Sequence, residues 1–387
     1  MKVALVGNMN NNFFSLLRYL RDINIDAYLL LYANEQFELE NDTWEFEKWK
    51  PYIKQSKIIN GSFKSLFTYK KEFLLKELAG FDYYISNGFS PALFEKAGMS
   101  IDLFLPYSVG IEYTFFYNKS QLRHYISEVI FRILQKSGLK KSVKLLGSVD
   151  GKALSKANKL GVYTINLSMP MVYSSEFQYE DSVKIKEIIE TMKLHSMIIF
   201  SHVSHFLKGS DGYHGKRNDI FIKAFAHYIF RTNDTDCLLI FLEYGPGVTE
   251  SKNLIKSLGI SKNVKWLQIM PRKEILQILK HIDLGVGELG GEMWGGTVWE
   301  FMASGKPFFQ YVNLSNEKMS KLLNAPCPNF MNTESENEIV KVLTDFRANS
   351  EKYVNMGNDL KQWFDLYGGI GLAKVYGDIL LNAQNMK

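Results

Sequence analysis

Short apolar runs, each closed by glycine, asparagine or serine and followed by a helical pattern, recur in two successive sets along this chain of 387 residues. The first set is Val3–Val6, Ala27–Leu31, Asp82–Ser86, Leu103–Tyr107, Val143–Leu146 and Tyr163–Asn166. The second is Met197–Phe200, Cys237–Leu242, Val264–Trp266, Leu284–Val286 and Pro307–Tyr311. Strands buried on both faces read as nearly unbroken apolar runs, and parallel neighbours need a crossover that a helix supplies. Helical spacing at Ile220–Phe230, Leu254–Leu258 and Glu274–Lys280 fits that role. The expectation is an α/β protein with two doubly wound sheets facing each other across a cleft. Residues 1–172 form the first domain and 173–365 the second, with a serine-containing linker around Pro170. Residues 34–80 read as a loop with one or two amphipathic helices.

Composition narrows the function classes. At 46% hydrophobic and 22% charged residues the chain is globular, and a net charge of +5 is too small to argue for nucleic acid. Cys237 and Cys327 stand outside any metal-ligand spacing and imply a reducing compartment, so a cytoplasmic setting is expected. Met1–Gly7 reads as a first strand and not a signal peptide. The uncharged stretch Leu160–Ser175 is interrupted by Gly161, Asn166, Ser168 and Pro170, too broken to span a bilayer. Between Tyr113 and Leu160 lysine and arginine far outnumber Glu128 and Asp150. The helix there carries Leu122, Tyr125, Ile126, Val129, Ile130, Ile133 and Leu134 at helical spacing. It is read as a core-facing helix with a solvated basic side; peripheral contact with an anionic inner membrane face is the alternative.

The stretch Leu284–Pro307 is the most informative. A short strand enters a loop containing Gly290, Gly291, Gly295 and Gly296, and a helix then opens near Thr297 and closes at Gly305-Lys306-Pro307. Gly295, Gly296 and Thr297 thus present unpaired helix-start amides, which suit a phosphate. Glu292 and Glu300 flank that opening. Ionised carboxylates accept hydrogen bonds only, and a sugar or ribose diol offers two donors. After the Ile198 strand, Lys216 and Arg217 open another helix, where two cations would suit a phosphate-bearing ligand, with Lys208 in reserve. His202, His205 and His214 lack the partners and register of a metal site, and none is assigned to a metal. His205 is placed among the ligand contacts of this opening, with a satisfied structural histidine expected for at least one of the three.

Glu292-x7-Glu300, with Gly295 and the following Met302-Ala303-Ser304-Gly305-Lys306-Pro307, resembles the donor-site signature of retaining GT-B glycosyltransferases of the family 4 type. That resemblance implies two Rossmann-like domains and a helix within 366–387 crossing back onto the first. It implies that Glu292 contacts the transferred sugar and Glu300 the nucleotide ribose, and that no metal or other cofactor is required. Lys216-Arg217-Asn218-Asp219 is similar to a Lys-Gly-Asn-Asp element, with Arg217 where glycine is usual. Glu243-Tyr244-Gly245-Pro246-Gly247 resembles a turn beneath the nucleotide, and Trp266–Arg272 lies where a base would rest, read by backbone groups at Met270 with an adjacent apolar side chain. On the acceptor side the resemblance implicates the loop bearing Asn8 and Asn10, and Glu112, although Gly110-Ile111-Glu112 departs from the family's usual element. The expected activity is transfer of a hexose from a nucleotide-diphosphate sugar, UDP-linked, to a glycan or lipid-linked acceptor in cell-surface polysaccharide assembly. The rivals are a sugar-nucleotide epimerase on the same fold and a non-catalytic interaction module.

Overall fold

The computed structural model describes residues 1–35, 38–59, 63–107, 125–148, 151–207, 215–291 and 295–385. Six parallel strands form the first sheet: β1 (Lys2–Val6), β2 (Asp26–Leu31), β3 (Ile53–Gln55), β4 (Tyr83–Ser86), β5 (Ile101–Phe104) and β6 (Val143–Leu146). Their order is β3-β2-β1-β4-β5-β6. The second sheet comprises β7 (Ile198–Ser201), β8 (Leu238–Leu242), β9 (Val264–Leu267), β10 (Leu284–Val286), β11 (Phe308–Gln310) and β12 (Met331–Asn332). It runs β12-β11-β10-β7-β8-β9, again parallel throughout.

The departures from the sequence reading fall mainly at sheet edges. β3 lies inside the stretch read as loop and helices, and β12 was not anticipated. Both are short edge strands, and Ile53-Lys54-Gln55 buries too little to leave an apolar run. Tyr163–Asn166, read as a strand, contributes one bridge from Thr164 to Leu146. β5 begins two residues before its expected start.

Apolar layers cover both faces of each sheet. The C-terminal helix Ile370–Asn385 places Leu372, Ala373, Tyr376 and Leu380 in the core of the first sheet beside Phe13, Leu17 and Leu20. The Tyr376 hydroxyl donates to the Ser168 carbonyl at 2.7 Å. The preceding helix Ser350–Tyr367 stays with the second sheet, where Leu360, Trp363 and Phe364 join Trp299 and Met302. The chain therefore returns to its starting sheet only in its last helix.

The basic helix Tyr125–Lys141 turns Phe131, Gln135 and Leu139 inward. Its inward face is rotated from the expected one, because Ile133 is 61% exposed and Ile130 is 38% exposed. The Gln135 amide explains the rotation: it donates to the Gly88 carbonyl at 3.0 Å and accepts from the Ala92 amide at 3.1 Å, so a polar residue is satisfied in the core. Leu122 lies outside the described residues. No helix among the described residues is long and apolar enough to cross a membrane.

Candidate functional site

In a doubly wound sheet, ligands collect outside the carboxyl ends of the strands where the order reverses. For the second sheet that point lies between β10 and β7. The helix Gly296–Ser304 starts there, with extended Gly295 before it and left-handed Gly305 (φ 69°) ending it. A Cβ on Gly295 would stand 2.6 Å from Glu288 Oε1, so only glycine lets the carboxylate lie so near the helix entrance. Gly296 is exposed, and Thr297 Oγ1 is buried with no hydrogen-bond partner among the described residues. Helix-start amides and an unsatisfied hydroxyl thus share one turn.

Lys216 is pinned at this opening from both sides. Its amide donates to the Phe206 carbonyl at 2.6 Å, and its carbonyl accepts from the Leu289 amide at 3.1 Å. The ammonium pairs with the Glu288 carboxylate, and about a fifth of the side chain remains exposed. Glu288 is held by its own amide, which donates to Gln310 Oε1 at 2.8 Å. Arg217 adopts the left-handed conformation (φ 54°) ahead of the helix Asn218–Thr232. Its guanidinium reaches Asp219 at 3.2 Å and stays partly exposed. This conformation explains why glycine would suit the position.

Glu300 lies one turn deeper and is only 4% exposed. One oxygen pairs with His202 Nε2, and the other accepts from Arg272 Nε at 2.9 Å. Arg272 then crosses to the first domain, where its Nη1 meets Asp42 Oδ2 at 2.8 Å. The Asp42 carbonyl accepts from Arg18, itself paired with Glu176 at 2.7 Å. Burial works against ionisation of Glu300, but His202 and Arg272 outweigh it and hold the carboxyl below its usual range. Burial likewise opposes the charge on Arg272, and Asp42 with Glu300 reverses the effect. Glu300 is therefore an ion-pair partner on both of its oxygens. His202, stacked on Phe200 with its edge toward Phe301, is fixed by the same arrangement.

One expected donor contact is placed differently. His205 is fully buried, with Nδ1 on Ser251 Oγ at 2.8 Å and its ring against Phe241 and Trp266. Its backbone braces the Glu243–Gly247 turn, donating to Tyr244 and accepting from Gly247. Burial pushes its imidazole down to about 4, so it is neutral near pH 7. It is a structural histidine. The Met270 side chain is buried in the second core, and neighbouring Ile269 is the exposed apolar residue. The expectation at Met270 concerns its backbone groups and an adjacent apolar side chain, and Ile269 is such an exposed neighbour.

The first sheet reverses order between β1 and β4. Asn8 is fully buried there, its carbonyl oxygen accepting from the Phe14 amide at 3.1 Å and its amide donating to Asn11 at 2.9 Å. Both ends of its side chain serve the loop, which removes it as an acceptor contact. Asn10 is exposed in the left-handed conformation (φ 51°) and remains accessible. Glu35 accepts from the Asn8 and Tyr32 amides, and burial raises its carboxyl. Glu292, Lys208, His214 and Glu112 lie outside the described residues. Sequence reasoning did not assign Glu288, Arg272 or Asp42. Their partners are 72, 28 and 230 positions away, so no local spacing carried the signal.

Residues 209–363, which contain this opening, match the family described as Glycosyl transferases group 1. No curated protein matches the chain in sequence. Anabaena HepE, solved in complex with UDP, superposes with a TM-score of 0.67 at 13% identity, over 99% of this chain and 100% of that one. Sucrose-phosphate synthase from Thermosynechococcus elongatus gives 0.63 at 11% identity, with full coverage of both chains. UDP-GlcNAc 2-epimerase from Methanocaldococcus jannaschii gives 0.58 at 16% identity over 99% and 100%. At such identities the likeness is one of fold. The chain has the GT-B architecture of two Rossmann-like domains, and the group 1 match supports a glycosyltransferase.

Proposed function

We propose that this protein is a retaining glycosyltransferase that moves a hexose from a UDP-sugar to a glycan or lipid-linked acceptor in cell-surface polysaccharide assembly. One observation carries the reading: Lys216 is fixed beside the open helix start at Gly295–Thr297, at the strand-order reversal of the second sheet. A cation, helix-start amides and the Thr297 hydroxyl converge where a diphosphate would gather charge as its bond to the sugar breaks. Fixed donors of this kind lower the transition state more than the ground state. Arg217 reaches the same charge from the rim. The solved complexes of Anabaena HepE with UDP and with UDP-glucose support a UDP-linked donor.

Glu300 would hold the ribose diol, since an ionised carboxylate keeps acceptor capacity beyond one bond per oxygen. The assignment of Glu292 to the sugar hydroxyls rests on the motif. The acceptor would attack from the face that the diphosphate leaves, with the phosphate itself taking the proton. Catalysis would proceed without a metal, and the enzyme would work in the cytoplasm or on the inner membrane face.

Incubation with UDP-sugars and candidate acceptors tests this, with product anomeric configuration read by NMR. Release of UDP with retained configuration is expected; inversion would remove the retaining mechanism. The epimerase likeness in fold gives a second reading. An epimerase would convert UDP-GlcNAc with no acceptor present, and chromatography of the donor alone would detect that conversion.

A further inference from the structure

The carboxylate proposed to take the ribose is shut away behind Arg272, a residue that the opposite domain holds in place. Glu300 is 4% exposed, with His202 on one oxygen and Arg272 on the other. Arg272 cannot turn aside freely, because its far end is held by Asp42 of the first domain, whose side chain is itself only 6% exposed. Lys273 fastens the same seam: its ammonium donates to the Glu40 carbonyl at 2.8 Å and lies 4.7 Å from the Trp44 ring centre. A neutral diol has little to offer against a guanidinium that is three-quarters buried, because removing it would leave the enclosed Glu300 charge short of a partner. Solvated on a single domain, the Arg272–Glu300 pair would lose most of its strength and the carboxylate could accept from a diol.

We infer that Arg272 and Asp42 are positioning residues that form an interdomain latch, holding the ligand-free protein closed over Glu300, so that the seam must open before a nucleotide ribose can enter. The inference rests on the proposal that Glu300 takes the ribose hydroxyls. Affinity measured on such a protein is reduced by the fraction of molecules that are open. Weakening the latch therefore tightens nucleotide binding, the opposite of what losing a ligand contact does.

The experiment pairs UDP titration calorimetry with small-angle scattering of the ligand-free protein, for the wild type, Asp42→Asn, Lys273→Ala and Glu300→Gln. Asp42→Asn keeps the side-chain shape and removes the charge; thermal melting checks that it folds. A larger radius of gyration and a Kd lower by about threefold to tenfold are expected for Asp42→Asn, with a smaller change in the same direction for Lys273→Ala. Should Asp42→Asn fail to fold, Lys273→Ala alone carries the test. A folded latch variant with unchanged or weaker UDP binding, or an unchanged radius, overturns the latch. Glu300→Gln separates the two claims: wild-type UDP affinity in that variant removes the ribose assignment, whereas weakened binding beside an unaltered Asp42→Asn removes only the latch. If UDP does not bind the wild type, the donor reading falls and the radius of gyration alone judges the latch.

Discussion

The two strand-order reversals of this protein share one topology and carry opposite chemistry. At the first, between β1 and β4, loop side chains serve backbone amides: Asn8 caps the following helix and Glu35 accepts two amides, while Ser86 Oγ and Asn87 Nδ2 at the end of β4 are buried with no partner among the described residues. At the second, between β10 and β7, a lysine, a partly exposed arginine and a helix start with an unsatisfied hydroxyl face an opening. Topology provides a crevice in each sheet. Residues decide whether the crevice is filled from within or left charged for a ligand.

Lys216→Ala offers the sharpest break of this contrast. Removing a fixed donor to developing charge costs on the order of 100-fold to 1000-fold in turnover, so kcat is expected to fall by about that factor with KM little changed. A wild-type kcat would mean that the charged crevice is not the reactive one. The second expectation concerns the frame beneath it. His205 binds its proton only near pH 4 in the fold, against about 6.5 in the unfolded chain. The unfolded state therefore takes up more protons between those values. Stability contributed by the neutral ring is complete above pH 6.5 and is lost as pH falls toward 4, by about 3 kcal/mol. Urea unfolding across that range should show the loss, and His205→Gln should flatten the slope. An unchanged slope would place the acid sensitivity elsewhere.

On the self-filled side, Gly7→Ala probes how tightly the first crevice is occupied. Gly7 has φ of 88°, and an added methyl would overlap Asn87 Oδ1. A loss of about 2 kcal/mol by chemical denaturation is expected, from backbone strain and displacement of a buried amide. Asn10→Gly is the mildest change. Its backbone already suits glycine and its side chain is exposed, so stability should stay within about 0.5 kcal/mol. A raised acceptor KM in that variant would give the first crevice a ligand after all; an unchanged one would sharpen the contrast.

Much of the second crevice was legible in the sequence. A strand, paired glycines, a helix and Gly305-Lys306-Pro307 are consecutive, and consecutive elements announce themselves through local backbone preferences. The start at Gly296 and the stop at Gly305 follow from that. The edge strands β3 and β12 were not legible, because two or three residues at a sheet edge bury too little to leave a pattern. His205 was misjudged for a related reason: histidine near a cleft looks the same in sequence whether it faces a ligand or an aromatic core.

By itself the sequence determined the α/β architecture and the glycine-rich turn with its helix start. These depend on apolar periodicity and on the conformational limits of individual residues, both local properties. Only the tertiary structure decided that Lys216 meets Glu288, that Asn8 is consumed in its own loop, and that Glu300 is tied through Arg272 to Asp42 in the other domain. Buried charges need partners, and which partner is near depends on how two separately folded sheets come together.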